Sequence, residues 1–183
     1  MTPPPFPAAA IAAVRADIES HLRIAASAEP ALTERAAATA LALCEAFTGT
    51  ALIVREHDEM LAGERRWQRL TAAPVLVVTG VAALDAGGQE TALAPESHAV
   101  DIDPAGYGWI RVTAPGIARV RVRHSAGLAA GWGDVPPPLA QGVLLLAAHL
   151  FEARGGDAAP PAAVSALWRP WRRLRLRSPE RAA

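Results

Sequence analysis

Histidines, cysteines and paired carboxylates are the side chains that hold a metal or activate a nucleophile, and here they are scattered. The five histidines, His21, His57, His98, His124 and His149, are widely separated. No two stand at the HxxxH spacing that puts a pair of imidazoles on one helix face. Cys44 is the single cysteine, and it falls in an apolar helical pattern, where a thiol packs as a small hydrophobe. His149 and Glu152 are three apart, which reads as a helix-surface hydrogen bond. The glycines of GYGWI (Gly106 to Ile110) lie between short strands and not ahead of a helix, so they form no phosphate cradle. Asp101 and Asp103 share one side of a strand, where a solvated edge is a better reading than a loose cation site. The expectation is no catalytic residue, no cofactor and no metal site.

The segment WRPWRRLRLR, from Trp168 to Arg177, is a different kind of chemistry. The candidate binding residues are Leu167, Trp168, Arg169, Trp171, Arg172, Arg173, Leu174, Arg175 and Arg177. On a helix, Leu167, Trp171 and Leu174 share a face, with Trp168 at its margin and arginines around it, and Pro170 must sit in a first turn or make a kink. Four readings compete. The tryptophans pack back on the chain's own core, or the stretch lies on a membrane surface. It grips DNA through phosphates and stacked bases, or it plugs a protein socket. Trp and Arg are the residue types most enriched at binding hot spots.

The elements that carry these residues follow from composition and period. With 183 residues, 51% of them hydrophobic, the chain is long enough for one domain with a real core. Net charge is zero, so the chain as a whole has no nucleic-acid signature, although its tail is basic and its body mildly acidic. No run reaches the roughly 18 apolar residues of a membrane span, and the N-terminus lacks a signal-peptide pattern. A lone cysteine fits synthesis in a reducing cytoplasm.

A Pro-rich arm (1–10) leads to a helix over 11–24 with Ile11, Val14, Ile18 and Leu22 on one face. A second helix covers 30–48, with Leu32, Ala36, Leu43 and Phe47 as its stripe and Gly49 as its stop. A small antiparallel sheet occupies 51–124. In its last strand Val120 and Val122 alternate with Arg119, Arg121 and Arg123, giving one buried and one wet face. A third helix, with Asp134 as N-cap, runs over 137–154, its apolar face formed by Leu139, Val143, Leu146, Ala147 and Leu150. Residues 155–183 are a linker, a short helix from Val164 and the docking tail. The fold class is α+β: a bundle of about four helices with a sheet inserted between the second and third.

The succession of motifs resembles a known family. ADIESHLRI and ALCEAFTGTALI resemble a first helix closing on HLR and a second closing on E-x-aromatic-TGR-x-L. PVLVVTGVAALDAGGQETAL resembles its strand, glycine turn and strand. RVRHSAGLAAGWGDVPPPLAQGVLLLAAHLFEARG is similar to its V-x-Y-x-AG, VP-x-PL and H-aromatic-E-x-R signature. Thr50 replaces a basic residue of that pattern, and His124 an aromatic one. The family is the head–tail connector, or adaptor, proteins of long-tailed phages and gene transfer agents, and the likeness runs from Ala16 to Leu176.

The resemblance implies a non-enzymatic structural protein of the virion or phage-like particle, at the head–tail junction. It implies a homo-oligomeric ring, twelve-fold in the family, docked on the portal protein. The ring meets a tail-side stopper and surrounds DNA that passes without its sequence being read, with no membrane involved. By this analogy Trp168 to Arg177 is the portal plug, while the face of Arg119, Arg121 and Arg123 is a candidate ring interface or channel lining, with an equal claim to be a solvated strand face. A DNA-packaging protein that uses its basic tail to bind nucleic acid is the alternative.

Overall fold

The computed structural model describes residues 3–24, 29–153 and 159–173. Its elements, in order, are α1 (Ala8–Leu22), α2 (Pro30–Thr48), β1 (Arg55–Ala62), β2 (Gln68–Arg69), β3 (Val75–Leu84), β4 (Glu90–Ala92), β5 (His98–Ile102), β6 (Gly108–Val112), β7 (Arg119–Ala126), α3 (Pro137–Glu152) and α4 (Ala162–Trp168). This is an α+β fold with the strands between the second and third helices. The chain builds two separate cores.

The first core is helical. Val14 and Ile18 of α1, Ala37, Ala40, Leu41 and Cys44 of α2, and Leu139, Val143, Leu146 and Ala147 of α3 meet with Val164 and Trp168 of α4. Alanine fills much of the α2 face, and a short side chain lets helix axes approach closely. The α2 stripe is only partly the expected one: Ala36 is buried and Phe47 packs on the core, but the face also takes in Thr33, Ala37, Ala40, Leu41, Cys44 and Thr48, while Leu43 is 45% exposed. Alanines on every side of this helix left the apolar face undefined by residue type.

Boundaries shift where prolines act. Helix α1 begins at Ala8, inside the expected arm, because Pro7 sits at its N-cap position with extended backbone. Its end is set by Arg23 in the left-handed conformation (φ 54°), with the backbone N–H bonding Glu19 and Ser20 carbonyls. Asp134 is not the cap of α3. It closes a 3-10 turn over Trp132–Asp134, and Pro136 holds the cap position ahead of two further prolines. Helix α3 ends at Glu152.

The second core lies between two sheets, where a single sheet was expected. One has the strand order β1-β7-β3-β4 and the other β2-β6-β5, all neighbours antiparallel. Leu70, Val75, Val81, Ile110, Val112, Val120, Val122 and Ala126 fill the space between them. Strand β3 carries register shifts at Val75/Val77 and Val78/Gly80 against β7, which bend it and let the sheets close on each other. Before β1, residues 51–54 run as a connector, tied by an isolated parallel bridge from Ile53 to Ala129.

Candidate assembly surfaces

The C-terminal segment is held to the body as far as Arg173. Helix α4 packs on α3 with the N–H edge of the Trp168 indole against Gly142; a Cβ at that glycine would collide with Nε1. Trp168 is 3% exposed, donates from Nε1 to the Leu139 carbonyl at 3.3 Å, and meets Phe47 with ring centroids 5.9 Å apart. Trp168 is therefore a core residue of this chain, and its ring is not presented as an anchor for a partner. Pro170 ends the α-helix and lies in a 3-10 turn over Arg169–Trp171. Leu167 and Trp171 rest, half-buried, against the helical core.

Arg169 and Arg172 are exposed, Arg172 with its guanidinium 5.8 Å from the Phe47 ring centroid. Arg173 donates its backbone N–H to Thr48 at 2.7 Å and Nη1 to the Ala105 carbonyl at 2.8 Å. Leu174, Arg175 and Arg177 lie outside the described residues.

The arginines of β7 face outward but are not free. Arg121 pairs with Glu90 and reaches Asp58 at 3.3 Å. Arg123 reaches Glu90 at 2.6 Å and Asp58 at 4.0 Å. Arg119 touches the Asp85 carbonyl at 3.5 Å. Register explains this: Asp58 stands opposite Arg123 on β1, and β4 carries Glu90 along the far edge of the same sheet. The face is a network of both signs, not a basic strip.

On the inward side β1 and β7 bury a polar cluster: Arg55 and Glu59, which the sequence reading did not single out, and His57 and His124, which are far apart in sequence and brought together by register. Arg55 donates to both carboxylate oxygens of Glu45 (2.9 and 2.7 Å) and to the Pro4 carbonyl, with its guanidinium 4.6 Å from the Phe6 ring centroid. His57 stacks on His124, centroids 5.5 Å apart, and His124 Nε2 lies 3.5 Å from Glu59. Glu59 accepts from the Thr71 N–H and hydroxyl and from the Ala72 N–H. Burial, then the Arg55 charge, pushes His57 down to about 4; burial also lowers His124. The signal was thin: REHDEML alternates, but both of its faces are polar.

Chemistry finds little to use. Among the described residues no three His, Cys, Asp or Glu side chains group as a metal site. Cys44 is buried and its thiol is pushed well above the usual range by desolvation, which disfavours the thiolate a nucleophile needs. Asp103 accepts from the Ala105 and Tyr107 N–H groups and from Trp109 Nε1, so it builds the β5–β6 turn. A shallow cleft of about 300 Å³ between β3 and β5 is lined by Val78, His98, Val100 and Arg123. No helix among the described residues is long and apolar enough to cross a membrane.

No protein-family model matches the sequence. No curated protein matches it. Solved structures do. A chain in the neck of an empty gene transfer agent particle, in C6 symmetry, aligns at TM-score 0.79 and 32% identity over 98% of this chain and 99% of that one. A chain in the neck of the native particle, in C12 symmetry, aligns at 0.75 and 34% with the same coverage. A chain of the native particle's virion gives 0.77 and 32%, again over 98% and 99%. Identity at this level along both full lengths carries fold and family together: the chain belongs to the head–tail connector family of gene transfer agents and long-tailed phages.

Proposed function

We propose that this chain is the adaptor subunit in the neck of a phage-like particle, a structural part and not a catalyst. Copies form a ring, the ring docks on the portal and receives a tail-side stopper, and DNA leaves the capsid through its centre. The observation that carries this reading is the end-to-end likeness to chains from necks of C6 and C12 symmetry.

The C-terminal segment is the portal-docking element, with Trp168 as its fixed root and Arg169, Arg172, Leu174, Arg175 and Arg177 as contacts beyond it. One such contact is modest, but repetition around a ring raises the effective concentration of each further contact. The face of Arg119, Arg121 and Arg123 with Asp58 and Glu90 serves adjacent copies. A mixed-charge surface favours a heterologous contact in which each sign finds the other.

The test is co-sedimentation with the isolated portal ring in high salt. A chain ending at Arg173 keeps its fold and loses portal binding; Leu174→Ala/Arg175→Ala/Arg177→Ala weakens it at least about tenfold, the effect of one hot-spot contact. Undiminished binding by both variants would remove the docking role of the tail. Failure of the wild type to bind the portal at all would remove the adaptor reading.

A further inference from the structure

The outer face of the β2-β6-β5 sheet carries a second set of arginines, in a different state from those of β7. Along β6, Gly108, Ile110 and Val112 point inward and are buried, which turns Trp109 and Arg111 outward. Register sets Arg69 beside Trp109 on β2 and Asp101 beside it on β5. The Arg111 guanidinium lies 4.8 Å from the centroid of the exposed Trp67 ring. Arg69 and Arg173 lie 4.8 and 5.0 Å from the Tyr107 ring centroid. A guanidinium against a ring is restrained by it, yet its N–H donors still point outward in its own plane.

Among the described residues, no carboxylate comes within ion-pair distance of Arg65, Arg69 or Arg111, whereas Arg121 and Arg123 are held by Asp58 and Glu90. The acids on this face do not cancel it. Glu64 is engaged with Arg66, Asp103 is committed to its turn, and Asp101 stands as a single exposed charge.

We propose that this sheet face is a docking surface for duplex DNA, gripping the phosphate backbone through Arg69 and Arg111 on the strands and through the exposed Arg65 on the segment that leads into β2. The inference rests on the neck reading only for the source of the DNA, which is the duplex passing the ring. Arg69 and Arg111 are diagonal neighbours by register, and their guanidiniums turn to different rings, Tyr107 and Trp67, so each meets a separate phosphate. What favours a polyanion over a protein here is charge: the guanidiniums of Arg69 and Arg111 have no carboxylate partner among the described residues, while Asp101 is the one exposed acid that register places beside them. Among the described residues this face is built from short strands and their connections, and it grips the backbone without reading bases.

The experiment uses the full chain and a fluorescent duplex of about 30 base pairs, titrated by anisotropy from low to physiological salt. Arg65→Gln/Arg69→Gln/Arg111→Gln is compared with Arg119→Gln/Arg121→Gln/Arg123→Gln, so the C-terminal arginines are constant. The first variant loses at least about tenfold in low-salt affinity, and its log–log salt slope becomes shallower by about 0.9 for each phosphate contact removed. The second keeps the wild-type slope, and two unrelated sequences bind alike.

Arg65→Gln, whose side chain props no ring, gives about 0.9 of that change without a risk to folding. The proposal fails if the wild type does not bind at low salt, if the first variant keeps its slope, or if both variants fall equally. Portal co-sedimentation separates the two readings. Loss of portal binding by the first variant would make the face a protein contact and overturn the proposal. Loss of wild-type portal binding would overturn the neck reading alone.

Discussion

Arg55 shows what a charge needs in order to stay inside this chain. The residue is 8% exposed, and its charge is tolerated because Glu45 receives the guanidinium with both oxygens while the Pro4 and Ile53 carbonyls accept further N–H groups. Arg55→Ala leaves the largely covered Glu45 carboxylate with the Leu52 N–H but without its counter-charge, and a loss of about 3 kcal/mol in urea unfolding is expected, the low end for breaking a buried pair.

The neighbouring histidines set a pH dependence of definite sign. His57 in the folded chain sits near 4, below its ordinary 6.5, so the folded state resists its protonation. Its neutral form therefore contributes stability in full above pH 6.5, about 3 kcal/mol, which disappears as pH falls toward 4. His124 acts in the same direction, and Glu59 and Arg55 are the charges that face the pair. His57→Leu should flatten urea-unfolding stability between pH 6.5 and 4 relative to wild type. An unchanged slope would show that His57 is not the group titrating.

At the scale of elements, the Trp168–Gly142 contact decides how α4 sits on α3. Gly142→Ala raises intrinsic helix propensity by about 1 kcal/mol. The added methyl, however, meets a packed indole, and overpacking costs about 1–3 kcal/mol. The second effect wins, so the expected outcome is a lower thermal midpoint; Trp168→Ala, a cavity mutation, lowers it further, by about 3–5 kcal/mol of stability.

The sequence made α2 and the β7 alternation legible, because Pro30, Gly49 and the RVRVR period are local signals. The division into two sheets was not, since β2 is only two residues long and β3 bends at bulges that no residue type announces. Trp168 misled for a similar reason. Its arginine neighbours mark the segment as an exposed docking tail, while the indole is buried through a glycine 26 positions earlier.

For the whole molecule, zero net charge conceals a division of labour. Charges on β7 are matched within the chain, those on the β2-β6-β5 face are left open, and the C-terminal stretch is rich in arginine. Weak, repeated contacts of this kind favour assembly on a template over assembly in free solution. Purified chain is expected to sediment as a monomer and to form closed rings when portal rings are added, as read by mass photometry. A stable ring of the chain alone would contradict this.

The double hold on Arg173 has a mechanical meaning. Its backbone is tied to Thr48 at the end of α2 and its side chain to Ala105 in the β5–β6 turn, a few residues after Trp168 is wedged into α3. Tension applied to the chain beyond Arg173 is thus shared in parallel between the helical and the β body. The seam between them is loaded from both sides at once, and a tug on the tail is borne by the whole subunit instead of prying its halves apart.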